Sequence, residues 1–186
     1  MKLLLASQSP RRKELLEGLG FPFEVVQIHC EESYPSQLPI CEVAAYLSLK
    51  KANSYTHLRS DEILLTADTI VSCSGQILGK PRDKQEAAQM LKKLSGNTHE
   101  VYTGITLKTS TKTTTLTDKA EVEFMPISSE EIDFYINEFK PLDKAGSYGI
   151  QDWIGMAKIN KISGSYYTIM GLPTHLIYKE LNKLTK

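Results

Sequence analysis

The sequence contains few cysteines and few histidines. There are three cysteines, an odd number, and no two of them form a CxxC pair: they are Cys30, Cys41 and Cys73. The four histidines show no HxxxH or HxH spacing. A disulfide framework needs paired cysteines, and a structural zinc site needs about four closely spaced Cys or His ligands. The sequence therefore predicts neither kind of site, and its unpaired thiols suit a reducing cytoplasm.

The chain also lacks net charge and long hydrophobic runs. Its 22 Lys and Arg residues balance 22 Asp and Glu residues, and the apolar run at residues 3–6 is too short for a signal peptide. Electrostatic binding to nucleic acid or to a membrane surface generally needs a basic excess, and a membrane-spanning helix needs about 20 apolar residues. We therefore predict a cytoplasmic protein with a small-molecule partner and with no nucleic-acid or membrane partner.

Two common nucleotide-binding motifs are absent as well. The sequence has neither the GxxxxGK[ST] pattern of a P-loop nor the GxGxxG pattern of a Rossmann fold. No internal repeat, low-complexity tract or linker divides its 186 residues, so we expect a single domain over residues 1–186. Because both motifs are absent, any phosphate group that this protein binds must be held by hydrogen-bond donors arranged differently from those of a P-loop or a Rossmann fold.

The most informative stretch is residues 63–82. Apolar residues precede and follow Asp68, as is typical of a central strand that is buried on both faces. A buried carboxylate costs several kcal/mol of desolvation unless a metal ion, a lysine or several hydrogen-bond donors offset it. Asp68 is therefore a candidate catalytic residue, and the alternative is an ordinary hydrogen-bonded structural aspartate. Ser74-Gly75 predicts a hairpin turn, which could return Lys80 to a position beside Asp68.

A second candidate site is the start of the first predicted helix, residues 10–19. Pro10 suits the first position of a helix, and Arg11 and Arg12 follow it. Cations in the first turn are unfavourable beside the positive end of the helix dipole unless an anion binds there. The helix amides, the two arginines and the Ser7 hydroxyl together predict a phosphate-binding loop, and the alternative is a solvated basic helix end.

The remaining pattern predicts further strands and helices. The pair Glu31 and Glu32 follows the second predicted strand, where it could form a polar loop or supply a second carboxylate to a metal ion. Helices are predicted at residues 39–58, 83–95 and 173–184, and another is predicted to begin at Ser128 and to end before Pro141. Asp83 with Glu86, and Ser128 with Glu131, predict a capping box at the start of each of two helices, and the apolar side of the second includes Tyr135. Strands are predicted at residues 23–28, twice within residues 99–124, and at residues 154–162, whereas residues 164–171 are predicted to form a loop or a strand end.

Several motifs recur in a definite order, namely ASQSPRR (residues 6–12), ADTIV (67–71), GKPRD (79–83), LSGNTHEVYTG (94–104), DKAGSYGIQ (143–151) and GSYYTIMGLP (164–173). Their order and spacing over nearly the whole chain resemble the Maf family. The resemblance implies an α/β fold with an elongated mixed sheet, flanking helices and two lobes around a cleft, as in Maf and ITPase-like proteins. It also implies a cytoplasmic house-cleaning nucleoside triphosphate pyrophosphatase that needs a divalent metal cation, Mg²⁺ or Mn²⁺, and that is often a homodimer.

The resemblance also assigns roles to individual residues. The family's general base or metal-holding aspartate corresponds to Asp68, and its other acidic residue, a metal ligand, corresponds to Glu32. Its phosphate-contacting residues correspond to Ser7, Arg11, Arg12, Lys51 and Lys80. Because a triphosphate carries roughly four negative charges, we expect the arginines and Lys80 to bind oxygen atoms of the ligand.

Three positions favour one subgroup of the family. Members that resemble the dTTP/UTP pyrophosphatases carry Arg, Thr and Gln where this chain has Arg11, Thr69 and Gln151, whereas members that resemble the 7-methyl-GTP pyrophosphatases tend to carry Trp, Gln and Glu. The Gln151 amide offers one acceptor and one donor, which can meet N3-H and O4 of uracil or thymine. Thr168 and Met170 depart from the Asn and Val that relatives commonly carry at those positions.

The predicted reaction is hydrolysis of dTTP and UTP, or of modified pyrimidine nucleotides, at the α-phosphate to give the monophosphate and pyrophosphate. This cleavage needs an activated water in line with the leaving group and cations that hold charge on the pyrophosphate. The alternative is a nucleotide-binding regulator of cell division without turnover, because the family has also been tied to inhibition of septum formation.

Overall fold

The computed structural model describes residues 1–184. The strands are β1 (Lys2–Leu5), β2 (Phe23–Val25), β3 (Glu62–Cys73), β4 (Gln76–Leu78), β5 (Thr98–Lys108), β6 (Thr113–Phe124) and β7 (Ile159–Ser163). The α-helices are α1 (Pro10–Gly18), α2 (Ile40–Ser54), α3 (Lys84–Leu94), α4 (Ser129–Phe139), α5 (Trp153–Lys158), α6 (Tyr166–Met170) and α7 (Thr174–Leu184). Within these residues, no helix has both the length and the apolar composition needed to cross a membrane.

The strands form one mixed sheet in the order β2-β1-β3-β5-β6-β7, and β4 pairs with β3 outside this order. Strand β1 runs parallel to both β2 and β3. Strand β4 pairs antiparallel with β3, and β7 pairs antiparallel with β6. The mixed α/β sheet with flanking helices confirms the predicted fold class, and the hairpin predicted at Ser74-Gly75 is the one that joins β3 to β4.

The chain divides into two compact units. The first unit comprises residues 1–68, residues 103–118 and the chain from Gly171 onward. The second unit comprises residues 69–102 and 119–170. The boundaries fall within β3, β5 and β6, so each of these three strands contributes residues to both units.

The core of the first unit covers both faces of β1. Leu3 and Leu5 belong to one buried cluster, which also contains Leu16 of α1 and Ile177 of α7. Leu4, which points to the opposite face, belongs to a separate buried cluster. Burial on both faces is expected for a strand with a parallel neighbour on each side.

Helix α2 packs very closely against β5. A Cβ atom built at Gly104 would lie 2.3 Å from the carbonyl carbon and oxygen of Ala44, so only glycine fits at this position of β5. Buried hydroxyl groups add hydrogen bonds between α2 and the neighbouring strands. The Ser48 and Thr106 hydroxyls are 2.8 Å apart, and the Thr66 hydroxyl donates to the Ser48 carbonyl at 2.7 Å. These contacts fix the helix that carries Lys51.

The second unit contains two helices whose starts were predicted from capping residues. The Ser128 side chain accepts from the Glu131 amide, and the Glu131 carboxylate accepts from the Ser128 amide, which completes the predicted capping box of α4. At α3 the Asp83 side chain accepts from the Glu86 amide as predicted. The Glu86 carboxylate instead accepts from the amide and side chain of Arg82.

Two other predictions for the second unit are wrong. The strand predicted at residues 154–162 is helix α5 followed by the shorter strand β7, and the loop predicted at residues 164–171 contains helix α6. The Gly155 amide donates to the Asp152 carbonyl at 3.0 Å and the Thr168 amide donates to the Ser165 carbonyl at 3.1 Å, so each short helix begins with a tight turn. Short apolar or aromatic segments fit both periodicities, and tertiary contacts decide between them.

Candidate active site

The Asp68 carboxylate of the first unit is bound by a lysine from α2. Its side chain is 11% exposed, and the Lys51 ammonium, 12% exposed, donates to its Oδ1 atom. The same ammonium lies 2.7 Å from Oε1 of Glu32, which is 48% exposed. A lysine is one of the three partners that the sequence left open for Asp68. Glu32 and Asp68, the two carboxylates predicted to bind a metal, therefore both contact the Lys51 ammonium.

These two carboxylates fit a hard divalent cation. Mg²⁺ takes oxygen ligands, carboxylates among them. The Lys51 ammonium contacts one oxygen of Glu32 and one of Asp68, so the two carboxylates already face one cation. Among residues 1–184, no group of three or more His, Cys, Asp and Glu side chains could hold a metal. Water and phosphate oxygens would have to complete the shell, as is usual for Mg²⁺.

Arg12 bridges parts of the first unit that are far apart in the sequence. Its Nε donates to the Gly171 carbonyl at 2.8 Å, and its Nη1 donates to the Ala67 carbonyl at 2.9 Å. Nη1 also lies 3.5 Å from the Ser7 hydroxyl oxygen, which accepts from the Ser9 amide at 3.2 Å. Arg12 therefore has main-chain partners within the protein, in addition to any ligand oxygens that it binds.

The first unit brings the predicted phosphate-binding arginines close to the predicted catalytic carboxylate. Burial lowers the pKa of the Arg12 guanidinium, the charge of Arg11 lowers it further, and the attraction of Asp68 and Glu32 opposes both effects. Ser9 occupies the N-cap position of α1 without a side-chain capping bond. The first unit thus contains six predicted site residues, namely Ser7, Arg11, Arg12, Glu32, Lys51 and Asp68.

The other predicted site residues belong to the second unit. Thr69 is half-buried and directly follows Asp68 on β3, whereas Lys80 and Gln151 are exposed. The Gly79 carbonyl, next to Lys80, accepts from the Gly146 amide at 3.0 Å. A Cβ atom at Gly146, whose φ is +68°, would lie 2.9 Å from Cγ1 of Val71. The glycine therefore allows the segment that leads to Gln151 to lie directly beside β3 and the end of β4.

Gln151 sits in a turn formed by residues 149–152. The Asp152 amide donates to the Gly149 carbonyl at 3.0 Å, which closes the turn. The Tyr135 hydroxyl of α4 donates to Oδ2 of Asp152 at 2.6 Å and accepts from the Gly149 amide at 3.0 Å. Burial, and next the hydrogen bond to Asp152, raise the pKa of the Tyr135 hydroxyl. One phenol therefore holds both ends of the turn that presents Gln151.

Tyr148, the residue just before this turn, is buried and bonds to His99. Nε2 of His99 lies 2.7 Å from the Tyr148 hydroxyl, and His99 also stacks on Phe124 with ring centroids 5.3 Å apart. Burial lowers the pKa of His99 from 6.5 to about 4 and raises the pKa of Tyr148. His99 is therefore neutral at neutral pH, and this part of the second unit holds no imidazolium charge.

The sequence did not indicate the roles of Tyr135, Asp152 and His99. The spacing of α4 predicts that Tyr135 lies on the apolar face, and its ring is indeed buried, but the spacing does not reveal the partners of its hydroxyl. His99 and Tyr148 do lie inside two of the quoted motifs, LSGNTHEVYTG and DKAGSYGIQ, which is the one signal that could have singled them out. Asp152 lies one residue beyond the second motif. The roles of Tyr135, Asp152 and His99 become visible only from their contacts in the folded second unit, and not from their spacing in the sequence.

Comparison of the sequence with known proteins identifies the family and its relatives. A family model described as "Maf-like protein" matches residues 2–184. A dTTP/UTP pyrophosphatase of Phocaeicola vulgatus is 50% identical over 185 residues, covering 98% of this chain and 96% of the relative. A dTTP/UTP pyrophosphatase of Porphyromonas gingivalis is 47% identical over 184 residues, covering 97% of this chain and 92% of the relative.

A solved structure shares the fold at low sequence identity. The Staphylococcus aureus Ham1 protein matches with a TM-score of 0.58 and 11% identity, over 99% of this chain and 100% of that one. This likeness concerns the fold alone, whereas the family follows from the sequence match over nearly the full length. The chain belongs to the Maf family.

Proposed function

We propose that this protein hydrolyses dTTP and UTP to the nucleoside monophosphate and pyrophosphate. The observation that carries the chemistry is the Asp68 carboxylate held by Lys51, which also binds Glu32. Arg11 and Arg12 supply further positive charge in the same unit. The substrate follows from relatives at 47% and 50% identity that are named dTTP/UTP pyrophosphatases.

In this proposal Asp68 acts as the general base. A water molecule attacks the α-phosphorus in line with the bridging oxygen to the β-phosphate, and its proton passes to the Asp68 carboxylate. The bond from the α-phosphorus to that bridging oxygen breaks, and pyrophosphate leaves with the bonding electrons. Lys51 binds Oδ1 of Asp68 and so fixes the orientation of the carboxylate.

The cations neutralise the phosphate groups. A triphosphate brings roughly four negative charges, so charge-assisted hydrogen bonds supply much of its binding energy. Arg11, Arg12, Lys51 and Lys80, together with the Ser7 hydroxyl, are the residues that we assign to this role. Arg12 is anchored on the Gly171 and Ala67 carbonyls, and this anchoring preorganises its guanidinium before the substrate arrives.

Asp68 and Glu32 are the residues that would hold Mg²⁺ or Mn²⁺. A bound ion would neutralise phosphate oxygens and make a coordinated water more acidic. Lys51, which contacts both carboxylates, would keep the pair together. Activity is expected to disappear on treatment with a chelator and to return when Mg²⁺ or Mn²⁺ is added in excess.

Base selection is assigned to Gln151, with Thr69 and Arg11 as the other specificity residues. The Gln151 side chain is exposed on the turn of residues 149–152 and is available to a ligand. Its amide can accept from N3-H and donate to O4, which uracil and thymine share. Room for one methyl group is the further requirement for accepting both dTTP and UTP.

A nucleotide panel tests the function. Release of pyrophosphate is measured from UTP, dTTP, CTP, ATP, GTP and 7-methyl-GTP in Mg²⁺, and we expect kcat/KM to be highest for UTP and dTTP. In H₂¹⁸O the label should enter the monophosphate, because the water attacks the α-phosphorus. Tight binding of UTP without pyrophosphate release would instead favour the alternative of a regulator without turnover.

Gln151→Glu tests the base contact. The carboxylate loses the donor and opposes the O4 acceptor, a mismatch of a few kcal/mol, so the preference for UTP and dTTP over 7-methyl-GTP should erode while turnover persists. The matched control is Gln89→Glu, which makes the same change at an exposed position of α3. An unchanged substrate ranking in Gln151→Glu removes Gln151 from the base site.

A further inference from the structure

A glutamine amide alone does not distinguish uracil from cytosine. Uracil and thymine present an acceptor at position 4, whereas cytosine presents a donor there. The side-chain amide of Gln151 carries an acceptor at one end and a donor at the other, so rotation by half a turn would let it satisfy either base. Selection against CTP therefore needs a group that fixes the amide in one orientation.

The structure places a carboxylate where it can do this. A Cβ atom built at Gly149 would lie 2.6 Å from Oδ2 of Asp152 and 3.0 Å from Nε2 of Gln151, so both side chains fold back over the same glycine. A carboxylate attracts the NH₂ end of an amide and repels its carbonyl end. The rotated amide would place two acceptors against each other, which costs free energy once the bound base excludes water from them.

Tyr135 holds this carboxylate in place. Its hydroxyl donates to Oδ2 of Asp152 at 2.6 Å and accepts from the Gly149 amide at 3.0 Å. The Tyr135 side chain is fully buried on α4 and stacks on Phe139 with ring centroids 5.2 Å apart. Because the ring cannot move freely, its hydroxyl is a fixed point for both the main chain of the turn and the Asp152 side chain.

We propose that Tyr135 and Asp152 are positioning residues that set the orientation of the Gln151 amide and thereby exclude CTP. Neither residue needs to touch the substrate. In the complex with substrate that we propose, the carboxylate accepts from one N-H of the Gln151 NH₂ group, which leaves the other N-H for O4 and directs the carbonyl oxygen towards N3-H. This inference rests on the proposed function, in particular on contact between Gln151 and the base.

The principal test is Tyr135→Phe, with Tyr148→Phe as the matched control. Both variants delete one buried tyrosine hydroxyl of the second unit, but the Tyr135 hydroxyl of α4 bonds to Asp152 and to the Gly149 amide, whereas the Tyr148 hydroxyl bonds to His99. The turn of residues 149–152 loses its anchor only in Tyr135→Phe. The measurement is kcat/KM for UTP and CTP, together with the melting temperature of each protein.

We expect Tyr135→Phe to lower the ratio of kcat/KM for UTP over CTP about tenfold or more, mainly through a lower KM for CTP and a higher KM for UTP. Tyr148→Phe should lose thermal stability but keep the wild-type ratio. An unchanged ratio in Tyr135→Phe, or an equal fall in both variants, overturns the inference, because a general structural role would affect both alike.

A second variant and a second readout keep the test decisive if Tyr135→Phe does not fold. Asp152→Ala removes the carboxylate and should lower the same ratio, and an unchanged ratio would overturn the inference. In both variants the Gly149 amide should exchange with deuterium faster than in the wild type, in the absence of any nucleotide. If Gln151→Glu leaves the substrate ranking unchanged, the proposed base contact itself fails, whereas a change in Gln151→Glu with no change in Tyr135→Phe refutes this inference alone.

Discussion

The two units hold their candidate site residues by different physical means. In the first unit, charged side chains are stabilised by their neighbours, since Lys51 forms ion pairs with Glu32 and Asp68, and Arg12 donates to main-chain carbonyls. In the second unit, the segment before and around Gln151 is held mainly through hydroxyl groups and a neutral ring, because Tyr148 bonds to His99 and the Tyr135 hydroxyl bonds to the Gly149 amide. The carboxylate of this segment, Asp152, accepts from the Tyr135 hydroxyl and lies 4.0 Å from the Lys144 ammonium.

This difference matches the two tasks that we propose, which are phosphate binding for the first unit and base recognition for Gln151 of the second. Phosphate groups are recognised by charge, and several cations can share one site only if nearby carboxylates and carbonyls stabilise them. A base is recognised by the direction of one donor and one acceptor, so its reader needs a rigid support more than it needs charge. Changes to charge should therefore be most damaging in the first unit, and changes to buried hydrogen bonds should be most damaging in the second.

The largest effect is expected from Asp68→Asn, which removes the central charge of the first unit. Loss of a general base costs about 10²- to 10⁴-fold in rate, so kcat for UTP should fall by that factor. The fold should survive, because Asn keeps the volume of Asp and Glu32 still binds Lys51. Asp61→Asn, at an exposed position of the same unit, is the control. Retention of more than about a tenth of the rate would make Asp68 a structural residue.

The second largest effect is expected on stability, when acidification protonates His99 in the second unit. His99 has its pKa lowered to about 4 in the folded protein, against 6.5 ordinarily, so the unfolded chain binds the extra proton between these values. The stability contribution of the neutral ring is complete above pH 6.5 and is lost as the pH falls, up to about 3 kcal/mol.

Urea denaturation between pH 7 and pH 4.5 measures this loss. His99→Gln should show a smaller fall in the free energy of unfolding over this range than the wild type does. His57→Gln, at an exposed position, should behave as the wild type. An equal pH dependence in wild type and His99→Gln would show that other groups account for the acid sensitivity.

Gly104→Ala sharpens the comparison, because it disturbs the first unit without changing any charge. The new Cβ atom would lie 2.3 Å from main-chain atoms of Ala44, so α2 must move away from β5. Overpacking of this kind costs about 2 kcal/mol, and displacement of Lys51 should also lower kcat. Gly18→Ala is the control, since nothing lies within 4 Å of its new Cβ atom. Full activity in Gly104→Ala would show that the position of α2 is not critical for Lys51.

The smallest effect is expected from Arg12→Lys, which keeps the charge but not the geometry. A lysine cannot replace both the Nε bond to Gly171 and the Nη1 bond to Ala67. The free energy of unfolding should fall by about 1 kcal/mol, with Arg59→Lys at an exposed position as the control. Unchanged stability together with weaker substrate binding would mean that Arg12 serves the ligand alone.

Local sequence determined several parts of the structure. Capping residues located the starts of α3 and α4, and the dipeptide Ser74-Gly75 located the hairpin between β3 and β4. The continuous apolar run around Asp68 located a buried strand. In each case, residues within one turn or one strand of each other carry the signal, so no distant contact is needed to interpret it. The motifs added the family, because their order extends over nearly the whole chain.

Tertiary structure alone decided the pairings within each unit. Arg12 meets Ala67 and Gly171, which are 55 and 159 residues away in the chain, and the Tyr135 hydroxyl meets Asp152 after 17 residues. Local patterns also failed at α5 and α6, where short apolar segments fit either a strand or a helix. Side-chain spacing reports which face of an element is buried, but not which distant atom lies opposite it. That is why the sequence and its motifs could only name candidate charged residues, whereas the folded chain showed how Gln151 is held.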